Sequence, residues 1–150
     1  MIVPYNHSDP ALRQTALRMG RMIHQESHYR DKYDYSETKL LGLLAQPNIF
    51  LAFSVAGGEF VGFFLGMTQN MWFSSKTKYG FDLSLYIAPK HRGGTHAVRL
   101  IREFEKFCKA QGCVEVTLSS SAEISTDLAA RLYAKLGYRN CGFISRKAIA

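Results

Sequence analysis

Between Ala88 and Leu100 the chain reads Ala-Pro-Lys-His-Arg-Gly-Gly-Thr-His-Ala-Val-Arg-Leu, with two adjacent glycines and three basic side chains where an apolar strand meets an amphipathic helix. The first turn of a helix exposes unpaired backbone N–H groups and about half a positive charge. Gly93 and Gly94 place no side chain in the path of an anion, and Arg92 adds a charged fork beside them. These residue types suit a cradle for a phosphorylated ligand. They equally suit a tight strand-to-helix turn that binds nothing. Two familiar phosphate loops are excluded, because the chain has no glycine-rich loop ending in Gly-Lys-Ser or Gly-Lys-Thr and no G-x-G-x-x-G.

Other reactive side chains are sparser. His24 and His28 lie four apart, the spacing of a zinc pair on a helix, but no third ligand accompanies them and no metal is expected. His91 and His96 belong near the phosphates or in solvent. The three cysteines, Cys108, Cys113 and Cys141, lack metal-ligand spacing and read as reduced, mostly buried thiols of a cytoplasmic protein. Met71, Trp72 and Phe73 form an apolar cluster that either lines a binding pocket or caps the core. A net charge of +7 favours an anionic partner, whether nucleic acid, a polyphosphorylated cofactor or an acidic substrate. No block of five or six like charges singles out one of these.

The elements that must position these residues follow from periodicity. At 150 residues, with 47% hydrophobic and 21% charged, the chain fits one folded domain spanning residues 1–150, and it shows neither a signal peptide nor a membrane-spanning run. Met1–Tyr5 reads as a short strand. Asp9-Pro10 opens a helix whose stripe is Leu12, Ala16, Met19 and Ile23. A polar and aromatic piece, His24–Tyr35, precedes a second helix that starts at Ser36 and stops before Pro47. Asn48–Ala56 and Phe60–Met67 flank Gly57-Gly58-Glu59 and predict an antiparallel hairpin. After a loop over Gln69–Lys78, a strand alternates Phe81, Leu83, Leu85 and Ile87 with Asp82, Ser84 and Tyr86. The helix that follows the glycines carries Ala97, Val98, Leu100, Ile101, Phe104, Phe107 and Cys108 as its core stripe. Strand Val114–Leu118, helix Thr126–Leu136 and a last strand between Arg139 and Ile149 complete a mixed α/β order.

Leu85-Tyr86-Ile87-Ala88-Pro89-Lys90-His91-Arg92-Gly93-Gly94-Thr95-His96-Ala97 resembles motif A of the GNAT N-acetyltransferase superfamily, Φ-Y-V-x-P-x-x-R-G-x-G-Φ-G/A with Φ apolar. Ala129-Ala130-Arg131-Leu132-Tyr133-Ala134-Lys135-Leu136-Gly137-Tyr138 resembles the family's A-x-x-L-Y-x-K-L-G-F/Y segment, and the spacing of the two fits. Thr95 replaces the second glycine, His96 the aliphatic residue after it, and Thr126 an asparagine often found seven residues before the helix tyrosine. The Gly-Gly variant with Ala97 is similar to bacteriophage members.

The resemblance implies a mostly antiparallel central sheet with two splayed parallel strands, flanked by helices. It implies acetyl-CoA as donor, with the backbone of Leu85, Tyr86 and Ile87 on the pantetheine arm, and Arg92, Gly93, Gly94, Thr95, His96 and Ala97 at the pyrophosphate. Thr126 and Tyr133 would border the cofactor. Tyr133 matches the tyrosine that protonates the leaving sulfur. The family's usual carboxylate position falls on Ser84, which cannot serve as a base, so Asp82, two residues earlier on the same face, is the first candidate. Glu26 and His28 are the next, in a segment that often borders the acceptor. Trp72 and Phe73 join them as acceptor-site candidates. The acceptor would be an amine-bearing small molecule or protein, in a bacterial or phage-infected host cytoplasm; homodimers are common in such domains. The competing reading is a catalytically weak module of the same fold that engages nucleic acid or a partner protein, with Thr95 and Ser84 as its grounds. A third has CoA as a structural or regulatory ligand only.

Overall fold

The architecture comes from a computed structural model that describes residues 1–120, 124 and 126–149. Five strands lie in the order β1 (Ile2–Pro4), β2 (Ile49–Ala56), β3 (Glu59–Asn70), β4 (Lys78–Ile87) and β5 (Cys113–Thr117). The first four are antiparallel neighbours, and β5 is parallel to β4. This is the mixed sheet implied by the motifs. Helices α1 (Pro10–Glu26) and α2 (Glu37–Leu44) cover one face, and α3 (His96–Ala110) and α4 (Thr126–Lys135) the other.

Local chemistry sets the helix ends. Asp9 Oδ1 accepts from the N–H groups of Ala11 and Leu12 at 2.8 and 3.3 Å, with Pro10 at the first helical position. α1 runs to Glu26, past the expected end of its apolar stripe, because the Ser27 N–H still reaches the Ile23 carbonyl at 3.0 Å. Ser27 then caps a short 3-10 helix, His28–Asp31. Ser36 caps α2 through the Lys39 N–H at 3.2 Å.

Each sheet face has its own core. Met19, Leu44, Phe53, Phe63 and Tyr86 pack together beneath α1 and α2. Phe64, Leu100, Ile101, Phe104 and Cys108 do so beneath α3, and the first four of these are 0% exposed. Two glycines let α3 approach: a Cβ on Gly66 would lie 2.6 Å from the Phe104 ring, and one on Gly80 2.2 Å from Cys108 Sγ. Burial of that sulfur pushes its thiol up to about 12, so it is an inert core group.

The strand expected between Arg139 and Ile149 does not form. Residues 138–149 are irregular, and Phe143 is 93% exposed. Asn140 Oδ1 accepts from the Gly142 N–H at 3.2 Å, a side-chain turn that interrupts an extended run.

Candidate active site

Pairing between β4 and β5 stops at Phe81 and Thr117, while β4 continues six residues further to Ile87. Beyond that point no strand among the described residues pairs with this edge of β4, which is open. The Ala88 N–H bonds the Val61 carbonyl at 2.8 Å on the β3 side, so by alternation the backbone groups of Leu85 and Ile87 face the opening, and those of Tyr86 face β3. One of these groups is already used: Arg92 Nε donates to the Ile87 carbonyl at 2.7 Å. A cavity of about 510 Å³ fills the gap. Its walls include residues 82–87 of β4, Gly93, Gly94 and Ala97 at the start of α3, Ser119 after β5, and Leu132 and Tyr133 of α4.

The start of α3 is electrostatically bare. Thr95, at the N-cap, makes no side-chain capping bond, and the first turn holds no acidic residue. Gly93 has φ +83°, which side chains resist, and an added Cβ on Gly94 would meet nothing nearer than 3.8 Å. The His96 ring turns away, its Nδ1 2.8 Å from Ser54 Oγ, so only its backbone is available at the turn. An uncapped helix start, two glycines and an open strand edge around one cavity fit an elongated ligand with a pyrophosphate and amide groups.

Asp82 and Tyr133 meet at one residue. Asp82 Oδ1 accepts from the Ser119 N–H at 2.9 Å and from its hydroxyl at 3.3 Å. The Tyr133 hydroxyl donates to the Ser119 carbonyl at 2.8 Å. Burial pushes the Asp82 carboxyl up to about 6 against the pull of its Ser119 bonds. Burial, reinforced by the Asp82 charge, also drives the Tyr133 phenol well above its usual range. The site therefore holds a carboxyl able to exchange protons near neutral pH beside a phenol that keeps its own.

A bulge places this carboxyl. Leu65 pairs with Ser84 but Gly66 pairs with Asp82, leaving Leu83 without a partner. Asp82 and Ser84 thus lie opposite adjacent β3 residues and point to opposite faces, which corrects the expectation of a shared one. Asp82 faces the α3 side with Gly66, and Ser84 faces the α1–α2 side with Leu65.

A model of the Acetyltransferase (GNAT) family matches residues 10–138. The chain belongs to that family. This acetyltransferase has the same fold as an aminoglycoside acetyltransferase from an uncultured soil metagenomic sample, at 18% identity and TM-score 0.77, over 100% of this chain and 98% of the other. An aminoglycoside antibiotic 6'-N-acetyltransferase from Acinetobacter haemolyticus aligns at 18% identity and TM-score 0.69, over 100% and 98%. A Trypanosoma brucei acetyltransferase aligns at 19% and 0.70, over 99% of both chains. No curated protein matches it.

The remaining expected residues of the acetyltransferase fall into two groups. Glu26 lies against the glycine turn rather than at a free acceptor surface: its carboxylate accepts from Arg92 Nη2 at 2.5 Å, with side chains 29% and 22% exposed. The Arg92 guanidinium also sits 5.7 Å from the Tyr86 ring centre. Burial, together with the neighbouring Glu26 carboxylate, pushes the Tyr86 phenol up to about 12. Arg92 therefore braces β4, α1 and the turn while also lining the cavity. Trp72 and Phe73 meet edge to face at the β3–β4 turn, 89% and 73% exposed, away from the cavity walls. His28 sits 4.1 Å from the Tyr29 ring; Tyr29 and His24 line the cavity, whereas His28 does not. Thr95 and Thr126 are exposed and off the walls as well.

Ser119 escaped sequence reasoning, although a polar residue just past the carboxyl end of a parallel strand was a usable signal. Among the described residues no cluster of three or more His, Cys, Asp or Glu could hold a metal, and His24 Nε2 lies 2.6 Å from the Tyr33 carbonyl. No helix among them is long and apolar enough to cross a membrane.

Proposed function

We propose that the chain, as a single domain, transfers an acetyl group from acetyl-CoA to a primary amine. The observation that carries this reading is the open β4 edge, with an uncapped α3 at one end and Asp82 and Tyr133 held on Ser119 at the wall. The N–H groups of Gly93, Gly94, Thr95, His96 and Ala97 hold the pyrophosphate, and Leu85 and Ile87 offer backbone partners to the pantetheine amides. Acetyl-CoA, when bound, supplies the activated acetyl group.

The chain's own groups manage protons. A protonated amine with a pKa near ~10.4 must lose a proton before it can attack, and Asp82, with a carboxyl near 6, takes it directly or through water. The backbone N–H groups of the open edge polarise the acetyl carbonyl. Tyr133 keeps its proton across the working range and donates a hydrogen bond, then the proton, to the departing sulfur. In balance, one amine N–H bond and the acetyl carbon–sulfur bond break while an amide C–N bond and a thiol S–H bond form. The proton that Tyr133 gives to sulfur is replaced by the one the attacking nitrogen sheds, and the extra ammonium proton leaves through Asp82.

Thermal unfolding with and without acetyl-CoA tests the reading. At about 100 times its dissociation constant the ligand should add roughly 2.7 kcal/mol, a rise of roughly 5–10 °C. Amine-dependent release of a free thiol should accompany it. A folded protein with no rise refutes the proposal.

A further inference from the structure

A pocket lies on each side of β4. Beneath α1 and α2 lies a second cavity of about 180 Å³, which shares Ile23 and Ser84 with the first. Ala16, Leu40, Leu44, Leu51, Phe63 and Leu65 form much of its wall. Tyr35 is also there, but its hydroxyl is committed to the Leu17 carbonyl at 2.7 Å. Ser84 Oγ stands between the two cavities, buried and without a hydrogen-bond partner among the described residues.

Protein interiors are close-packed, so an apolar pocket of this size adjoining the first cavity reads as a place for part of a ligand. A cavity of about 150 Å³ lined by Leu, Ile and Phe side chains accepts benzene. This one is slightly larger. A buried hydroxyl without a partner is costly, and an amine N–H seated against Ser84 would supply what it lacks.

Charge narrows the class further. Among the described wall residues of the first cavity, Asp82 is the one carboxylate, against Arg92, Arg131 and Lys135. Glu26, close by, is committed to Arg92. A polycation would bring several ammonium groups to a site that neutralises one.

We propose that the acceptor is a monoamine with a compact apolar body, an aromatic ring or a branched alkyl group of about six carbons, seated beneath α1 and α2 with its nitrogen at Ser84. This rests on the acetyl-transfer reading of the adjoining cavity, with the same exchange of bonds. Ser84 and Asp82 face opposite sides of β4 but both line that cavity, so the ammonium proton reaches Asp82 through water. It separates the chain from acceptors such as the aminoglycosides named for its structural neighbours.

The test uses the full chain with acetyl-CoA and three probes: 2-phenylethylamine, n-propylamine and kanamycin. The expected order of kcat/KM is phenylethylamine above propylamine by at least about tenfold, with kanamycin lowest. Ala16→Leu extends the wall into the second cavity and should lower the phenylethylamine-to-propylamine ratio about tenfold. Should that variant not fold, Ser84→Val, which removes the unpartnered hydroxyl and narrows the passage, should lower the same ratio.

Preference for kanamycin overturns the inference, as does an unchanged ratio in the folded variant. If no amine is acetylated, phenylethylamine must still raise the unfolding temperature of the CoA-loaded protein, and no rise there also overturns it. Failure of the underlying reading has a different signature: acetyl-CoA itself would not raise the unfolding temperature.

Discussion

Replacing Asp82 by Asn tests the burial of the carboxyl and its chemistry in one variant. Burial raises this carboxyl from its ordinary 3.8 to about 6, a preference of about 3 kcal/mol against the charged form in the folded state. Above about pH 6 the group is ionised in both folded and unfolded chains, and the native state bears the whole cost. Between about pH 6 and 4 the folded chain takes up a proton first and the cost fades; in stronger acid it is gone. Stability from this residue is therefore greatest in acid and is lost as pH rises through about 6. Asn keeps an acceptor oxygen for the Ser119 N–H and carries no charge. It should raise the melting temperature near pH 8 by roughly 6–12 °C at most, and by little near pH 4. Turnover should move the other way, by roughly 10²–10⁴-fold, and the limb of kcat/KM near pH 6 should vanish. Thermal unfolding at both pH values and a pH–rate profile give the answer. A fall in melting temperature near pH 8, or an equal shift at both, refutes the burial reasoning. Unchanged turnover removes Asp82 as the base.

Gly94→Glu should abolish the acetyl-CoA rise without harming the fold, since the nearest atoms to a new Cβ lie 3.8 Å away; a rise equal to that of the parent chain would end the cradle model. Tyr133→Phe should leave the acetyl-CoA rise intact, lower turnover by roughly 10²-fold and cost about 1 kcal/mol, because the Ser119 carbonyl loses its donor. Full activity in a folded phenylalanine variant would show that another group protonates the sulfur. Arg92→Lys should lower the melting temperature by roughly 2–4 °C, because one ammonium group cannot reproduce the fork that spans the Ile87 carbonyl and Glu26. An unchanged melting temperature would show the brace to be idle.

Much of this organisation was legible from local rules. Asp9-Pro10, Ser36 and Gly57-Gly58 mark their boundaries because caps and tight turns depend on neighbours in sequence. The α3 stripe stood out because Leu100, Ile101, Phe104 and Cys108 recur at helical spacing. The glycine turn, Asp82 and Tyr133 came from residue types and from motif resemblance. What escaped depends on distant partners. Nothing near Arg92 announces that Glu26, 66 positions away, will take its guanidinium. Trp72 and Phe73 looked like pocket residues, but they sit on a turn that projects from the sheet. The expected last strand is replaced by irregular chain that includes a local feature, the Asn140–Gly142 turn.

The unpartnered Leu83 has a consequence for change in the chain. If β3 gained one residue opposite it, the ladder would become regular, and the two halves of β4 would have to turn over relative to each other. Asp82 and Ser84 would then share a face, and the carboxylate would leave either its Ser119 anchor or its cavity. The direction in which Asp82 points is thus set by a count of backbone units. In most surface strands a single insertion is absorbed at the nearest loop. Here it would move the Asp82 carboxyl away from Ser119 or from the cavity while leaving every side chain of the chain unchanged.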